Sequence, residues 1–559
     1  MRDIKEAIQK LEKSILEDGK VDRAEAQILL AFANSRAADN ADMAEFVKLL
    51  EDVLEDGVVT HDESIRIGAY LKWLTREAES DEPETTLLGR VFKLKRNNTT
   101  VKTEIVAGIT TFMTMAYILA VNPFFLSCAG MPKGGVLVAT ALAAFVGTML
   151  MAAFANYPFV LAAGMGLNAY FAFTVCGDMG YSWQFALLAV FVEGLIFLAL
   201  SVTPVREGIF NAIPFSLKKA VAVGIGLFIT LIALKSAGIL IPDQATYIKL
   251  VNFHTADFHT KCIVAILALV GIVLTAVLLA FRLKAAILLG ILGTWLLGIV
   301  AELTGLYQPD PANAFYSTIP HFGNYFSDLG GAFKDFGVTF GAIFDPSAWT
   351  LTAKDGAVTS GWNLAASMNF FVVMFAFFFV DLFDTLGTLI GVSMKGGFLD
   401  KQGRLPRISG ALYADSVATA VGAVFGTSTT TTFVESASGV AAGGRTGLTA
   451  ATAAVVFLVS ILFAPFFLAI PGFATTPALI VVGFMMMSSV TSIDFDDFHE
   501  GLPAFLAIVA MPFFYSISDG IMFGVISYTL VNLCTGRAKK VSPVMYVLTA
   551  LFIAKYALM

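Results

Sequence analysis

Apolar runs of membrane-crossing length follow one another from residue 104 to the end of the chain, separated by short polar turns. They fall at about 104–123, 135–155, 158–176, 183–202, 215–235, 262–280 and 285–303. After a polar stretch over 306–365 they resume at about 367–390, 410–426, 428–442, 448–470, 476–490, 502–516, 518–535 and 543–558. An apolar run of about twenty residues is the pattern of a transmembrane helix. The chain therefore reads as an all-α polytopic membrane protein of about fourteen spans, seven before the loop and seven or eight after it. Whether 543–558 crosses or lies at the interface stays open. The first 80 residues differ: Ile4, Ile8, Leu11 and Ile15 recur at helical spacing among charges, predicting a small soluble helical domain over 1–80.

The two sets of runs resemble each other. "VGTMLMAAFANYPFVLAAG" (146–164) lies beside "VGAVFGTSTTTTFVESASG" (421–439) so that Val146-Gly147 meets Val421-Gly422 and Gly164 meets Gly439 without a gap. Seven crossings per half turn the second half upside down, so two inverted repeats are expected, 104–305 and 367–559, joined by an extracytoplasmic loop over 306–366. Orientation follows from the basic residues. "RVFKLKRNNTTVK" (90–102) lies in a basic linker, 81–103, before the first run. Arg206, Lys218 and Lys219 follow the fourth run, Arg282 and Lys284 the sixth, and Lys395, Lys401, Arg404 and Arg407 the eighth. All fall on one side, which the positive-inside rule makes cytoplasmic. The charged N-terminus has no apolar signal region and is expected on that side too, with the protein in a bacterial inner (plasma) membrane.

Candidate chemistry lies where the runs are interrupted. "TSTTTTFVESASG" (427–439) holds eight hydroxyls and Glu435 between apolar flanks, and its counterpart "NYPFVLAAGMGLNAYF" (156–171) is broken by Pro158, Gly164 and Gly166. Irregular backbone at membrane depth is tolerated inside protein or around a watery cavity, so the hydroxyl-rich stretch is expected to line a polar cavity, with half-helix ends offering free N–H groups. Thr432 and Ser436 are its candidate ligand contacts. Asp381 and Asp384 stand at i, i+3 in the otherwise apolar run 369–392 and share a helix face. An intramembrane carboxylate is a functional hypothesis by default, and one of this pair or Glu435 is the candidate carrier of a coupling proton. Asp384 also reads as the cap of a broken backbone. Asn168 offers two donors and an acceptor, suited to a nucleobase edge, and alternatively ties down the broken helix. Glu193 faces the cavity or pairs, and Asp415, near the end of its run, reads as a snorkelling residue.

Composition supports the membrane reading: of 559 residues 57% are hydrophobic and 14% charged, where soluble domains carry about 25% charged residues. The mean hydropathy is +0.77. Cys128, Cys176, Cys262 and Cys534 are far apart and lack metal-ligand spacing; no disulfide, metal or cofactor is expected. Within the N-terminal unit "ILEDGKVDRAEAQILL" (15–30) repeats as "VLEDGVVTHDESIRIG" (53–68). Read as a calcium loop, this puts Glu25 and Glu63 at the last ligand position, but Leu16 and Leu54 occupy a position that must ligate, which favours a turn and helix start.

Four stretches carry a family resemblance: "NNTTVKTEIVAGITTFMTMAYILAVNP" (97–123), "AAGMGLNAYFAF" (162–173), "VDLFDTLGTLIGV" (380–392) and "TSTTTTFVESASGVAAGGRTGLTA" (427–450). Together they resemble the AzgA-like purine permeases of the nucleobase–cation symporter-2 superfamily, over about 90–559. The resemblance implies fourteen helices in a core and a gate domain, with helices 3 and 10 short and broken. It places the purine site on Asn168, Asp381 and Glu435, with Asp384 close by and Gly166 shaping the turn. It implies proton-coupled uptake of adenine, guanine or hypoxanthine by alternating access and not an enzyme, with a purine, a proton and the lipid bilayer as partners, a homodimer through the gate, and no nucleic acid. The N-terminal 80 residues depart from the family and resemble small TerB-like helical domains. Three other classes stand beside this reading: a same-fold anion carrier, which site acids would disfavour; an intramembrane aspartyl protease, whose aspartates belong on separate helices; and a membrane sensor or channel.

Overall fold

The computed structural model describes residues 21–36, 41–55, 59, 61–75, 86–201, 213–243, 247–254, 257–310, 316–320, 322–353 and 356–558. Ile4, Ile8, Leu11 and Ile15, the Asp18-Gly19 and Asp56-Gly57 turns, residues 76–85 and Arg206 lie outside the described residues.

Three helices precede the membrane part: α1 (Arg23–Asn34), α2 (Ala41–Leu54) and α3 (His61–Thr75). They close around their own apolar cluster, in which Leu29, Phe46, Leu50, Ile67 and Tyr70 meet. Glu25 is a capping residue: Asp22 accepts from its backbone N–H at 2.7 Å, and its carboxylate accepts from the Asp22 N–H at 3.0 Å. That arrangement uses Glu25 to start a helix.

The first half follows. Helices α4 (Val101–Ser127) and α5 (Lys133–Ala155) lead to strand β1 (Leu161–Ala163), the short helix α6 (Met165–Ala169) with its π-helical continuation Tyr170–Asp178, and α7 (Trp183–Ser201). Then come α8 (Phe215–Ser236), the hairpin of β2 (Leu240–Asp243) with β3 (Tyr247–Leu250), α9 (Phe258–Ala280) and α10 (Ala286–Leu303). The polar connection holds α11 (Tyr325–Thr339), which packs on α5, and the hairpin of β4 (Thr350–Thr352) with β5 (Val358–Ser360).

The second half repeats the order: α12 (Met368–Gly396), α13 (Ile408–Phe425), β6 (Thr430–Thr432), the short α14 (Ser436–Ala441), α15 (Gly447–Leu468), α16 (Gly472–Thr491), α17 (Phe498–Phe513) and α18 (Ile517–Cys534). A further apolar helix, α19 (Pro543–Leu558), packs on α18, where Thr549 and Thr529 share a hydrogen bond of 2.8 Å. Among the described residues eleven helices are long and apolar enough to cross a membrane. The two broken segments and the shorter α17 complete the expected fourteen. Helices α4, α5, α7, α12, α13 and α15 pack around the broken segments as a core; α8, α9, α10, α16, α17 and α18 pack on one another as a second group.

The inverted symmetry can be read residue by residue. Strand β1 pairs antiparallel with β6 through Leu161↔Thr432, Ala162↔Thr431 and Ala163↔Thr430. The ladder is extended reciprocally: the Gly164 N–H donates to the Thr429 carbonyl and the Phe433 N–H to the Val160 carbonyl, both at 3.0 Å. The helices before the strands also meet reciprocally. A Cβ on Gly147 would lie 2.6 Å from the Ala418 Cβ, and one on Gly422 3.5 Å from the Ala143 Cβ. Helix register is thus the sequence register, Gly147 with Gly422. Strand register is not: Gly164 answers to Phe433 rather than to Gly439. The first half spends an extra π-helical turn, Met151–Ala155, and a left-handed Asn156 before its strand. Gly147→Val is expected to force α5 and α13 apart and to destabilise the protein by about 1–3 kcal/mol. The thermal unfolding midpoint of the detergent-solubilised variant measures this, and adding Ala418→Gly should recover part of the loss.

Candidate functional site

The two broken segments cross at the centre of the core, and their local structure follows from composition. A left-handed Asn156 (φ +51°) and Pro158 stop the helix before β1, and Gly426, at φ +98°, stops α13 before β6. Backbone groups freed by these breaks are paired across the ladder, as burial at membrane depth requires.

The hydroxyls of 427–432 do not line an open cavity. All six are buried, and most tie β6 to a surrounding helix. Asn122 of α4 donates to Thr427 at 2.9 Å, and Ser428 donates to the Asn168 side-chain oxygen. Thr429 reaches Glu193 of α7 at 3.4 Å, and Thr431 meets Thr385 of α12 at 2.8 Å. Thr432 and Ser436, the two candidate ligand contacts of this stretch, lie within the crossing itself. The Thr432 hydroxyl points to Asp415 at 3.5 Å, and Ser436 Oγ accepts from the Val160 N–H at 3.0 Å, so both staple the crossing and neither meets the open side. Their short side chains reach only the adjacent backbone and helices.

The carboxylates divide. Asp381 is fully buried and accepts from Thr385 Oγ1 at 3.2 Å; the same hydroxyl lies 3.0 and 2.9 Å from the two oxygens of Asp415. Asp415 therefore does not snorkel: it is 0% exposed and joined to Asp381 through one hydroxyl. Asp384, one helical turn on, is exposed, and its Oδ2 lies 3.8 Å from where a side chain on Gly164 would begin. Below it Gly387 is exposed and Gly391 partly so, and a Cβ on either would meet open space. The face of α12 from Asp384 to Lys395 is thus an open stripe at helical spacing.

Glu435 is half-buried at the start of α14, and its Oε1 accepts from the Tyr117 hydroxyl at 2.8 Å. Tyr117 is 1% exposed and sits where α4 is briefly non-helical. Asn168 is fully buried; Ser428 occupies its oxygen, and its amide nitrogen has no hydrogen-bond partner among the described residues. Gly166 does not shape a turn by a left-handed φ. It lies within α6, and a Cβ there would come 2.7 Å from Ile225 Cγ2 of α8, so its smallness admits the second helix group against the crossing.

Sequence reasoning missed Tyr117, Thr385 and Glu104. The fully buried Glu104 accepts from the Arg445 N–H at 2.9 Å, the Thr446 N–H and hydroxyl at 3.2 and 2.9 Å, and the Thr449 N–H and hydroxyl at 3.2 and 2.6 Å. It caps the start of α15 from a neighbouring helix. A lone acid within an apolar run was the available signal.

The chain matches proteins of known naming over most of its length. The profile of the Xan_ur_permease permease family matches residues 102–523. The guanine/hypoxanthine permease PbuO of Bacillus subtilis (strain 168) is 42% identical over 466 residues, 83% of this chain and 98% of its own length. The guanine/hypoxanthine permease PbuG of the same organism is 39% identical over 471 residues, 83% and 98% of the two chains. The adenine permease AdeQ of Escherichia coli (strain K12) is 38% identical over 475 residues, 85% and 97%. The multi-pass helical architecture and these matches together establish that the chain belongs to the Xan_ur_permease permease family, the nucleobase–cation symporter-2 group, and is a transporter rather than an enzyme.

Proposed function

We propose that the protein takes up purine nucleobases (adenine, guanine or hypoxanthine) by proton symport across a bacterial inner membrane. The N-terminal helices, read as TerB-like, lie on the cytoplasmic side. The observation that carries this reading is the open carboxylate pair at the crossing: Asp384 on its stripe and Glu435 with one oxygen already held by Tyr117. A purine presents N–H donors in its plane, and a carboxylate accepts two at once. The Asn168 amide nitrogen, with its oxygen turned to Ser428, has hydrogens to offer a ring nitrogen or exocyclic oxygen. The names of the relatives support the same substrate class.

Asp381 is read as a proton carrier acting with Asp415. A threonine hydroxyl has one hydrogen to give, yet Thr385 stands within hydrogen-bond reach of both carboxylates. That hydroxyl also meets Thr431 at 2.8 Å, so its one hydrogen is shared among three neighbours, and a proton held on either carboxyl would supply a second donor there. Proton uptake therefore changes the bonding behind β6, next to the segment that bears Glu435. Movement of the core against the second helix group would carry the site from one face of the membrane to the other, the Gly166–Ile225 approach lying at the moving boundary. The protein is expected to work as a homodimer through that second group.

The test is uptake of radiolabelled hypoxanthine into proteoliposomes with an imposed inward proton gradient. Accumulation above the external level is expected, collapsing when a protonophore is added, with adenine and guanine competing and uracil not. Accumulation that ignores the proton gradient and follows a sodium gradient would refute proton coupling, and uracil competing as well as guanine would refute purine selection.

A further inference from the structure

Outside the crossing, a second cluster of charged and aromatic side chains lies between the N-terminal helices and the turn that joins α12 to α13. The Lys401 ammonium lies 2.9 Å from Asp42 Oδ1 and 2.8 Å from Glu45 Oε2. It also sits over the Trp73 ring at 3.9 Å and near the Tyr70 ring at 5.5 Å. Two acids and two aromatic faces around one ammonium form a lysine cage. The cage is preformed by the packing of α1–α3: Tyr70 stacks on Phe46 at 4.9 Å, and its one hydroxyl hydrogen is shared between the Asp42 carbonyl at 2.9 Å and Glu45 Oε2 at 3.1 Å.

The occupant is equally well prepared. Asp400 Oδ1 accepts from the Gln402 and Arg404 N–H groups at 2.9 and 2.8 Å, and the Asp400 N–H donates to the Arg404 carbonyl at 2.8 Å. These bonds close a tight turn that presents Lys401 at its tip. Gly403, at φ +75°, lies against Arg66 of α3, and Lys72 donates to the Lys395 carbonyl at 2.9 Å, in the last turn of α12. Ala69 and Ile65 of α3 join the membrane part's apolar cluster.

We propose that the Asp42–Glu45–Tyr70–Trp73 cage is a docking surface for the lysine-tipped turn after α12. By holding that turn it latches the helix that carries Asp381 and Asp384 and slows transport while engaged. The contact is ionic: Lys401's hydrogen bond, and after it Tyr70's, hold the Glu45 carboxyl below the usual carboxylate range. It is also reversible by construction. Asp42 and Glu45 remain 45% and 54% exposed, and ion pairs so exposed are weak and salt-sensitive. An interaction made in one state of a transport cycle stabilises that state and so raises the barrier to leaving it. The docking stands independently of the transported substrate; only the rate readout rests on the transport reading.

The test uses the full chain in proteoliposomes. With Lys401→Ala, amide hydrogen exchange over 61–75 and 397–407 is expected to quicken about tenfold, with α15 unchanged. The maximal rate of hypoxanthine uptake should rise about two- to fivefold at unchanged KM, the size of change that losing exposed ion pairs allows. Lys401→Arg, which keeps a cation for both acids and both rings, should leave both readouts near the parent. Unchanged exchange in Lys401→Ala would overturn the docking surface. Quickened exchange with an unchanged or lowered maximal rate would overturn the latch. Absence of uptake by the parent chain would count against the transport reading, while the exchange measurement still decides the docking.

Discussion

Glu435→Gln should lower purine uptake by about 100-fold or more while leaving the protein folded, because a site built to hydrogen-bond its ligand loses that much when its pairing is wrong. The carboxylate offers two acceptor oxygens; the amide offers one acceptor and turns a donor toward the purine's own N–H groups. One side-chain oxygen of Glu435 is held by the Tyr117 hydroxyl at 2.8 Å. In the glutamine variant the Tyr117 hydroxyl can accept from the amide NH2 group, but the ligand side then meets one acceptor oxygen in place of a carboxylate, and the reverse setting turns an N–H donor on the purine's own N–H groups. Tyr117→Phe tests the same geometry from behind. It removes the donor without touching the ligand's side, and about a tenfold rise in KM is expected, with maximal rate little changed, from one lost hydrogen bond to a charged group. Uptake kinetics on equal amounts of membrane-inserted protein measure both. A glutamine variant that transports at the parent rate would remove Glu435 from the site.

The largest effect on stability should come from Glu104→Ala. Its carboxylate takes five hydrogen bonds, from the Arg445, Thr446 and Thr449 N–H groups and from both threonine hydroxyls. Those donors lie in the capping turn and first turn of α15, where backbone N–H groups lack the usual helical partner. Deleting the carboxylate takes the acceptor from the Arg445 and Thr446 N–H groups, at a cost of about 1–3 kcal/mol for each group left unpaired, while the Thr449 N–H keeps the Thr446 carbonyl at 3.2 Å. Thermal unfolding of the solubilised protein should show a clearly lowered midpoint, with Glu104→Gln falling between variant and parent. A midpoint equal to the parent's would mean that water or another group caps α15.

The helices were legible because the bilayer itself sets their length and apolarity. The two breaks were legible too, since Pro158, Gly164 and six consecutive hydroxyl residues have no place in a lipid-facing helix. What those hydroxyls do was not. A threonine facing water and a threonine facing a neighbouring side chain leave the same letter in the sequence, and the partners of β6 come from α4, α6, α7, α12 and α13. Asp415 was read as snorkelling because a lone acid near the end of a run fits that habit; only folding brings Thr385 between it and Asp381. The strand register slipped for a similar reason, as the π-helical turn at Met151–Ala155 uses ordinary helix-forming residues. Lys401 counted in the sequence only as one of several positive charges marking a membrane face. Its acidic and aromatic partners lie in the first 80 residues, and no local pattern links the two regions.

The three-pair ladder between β1 and β6 has a consequence for how such a molecule can be assembled. Each strand is the other's edge partner at a depth where solvent cannot substitute. A chain severed in the loop between the repeats would yield two fragments, each carrying an unsatisfied row of peptide groups into hydrocarbon. Neither fragment is a viable half-molecule alone; each becomes stable only by clasping its upside-down counterpart.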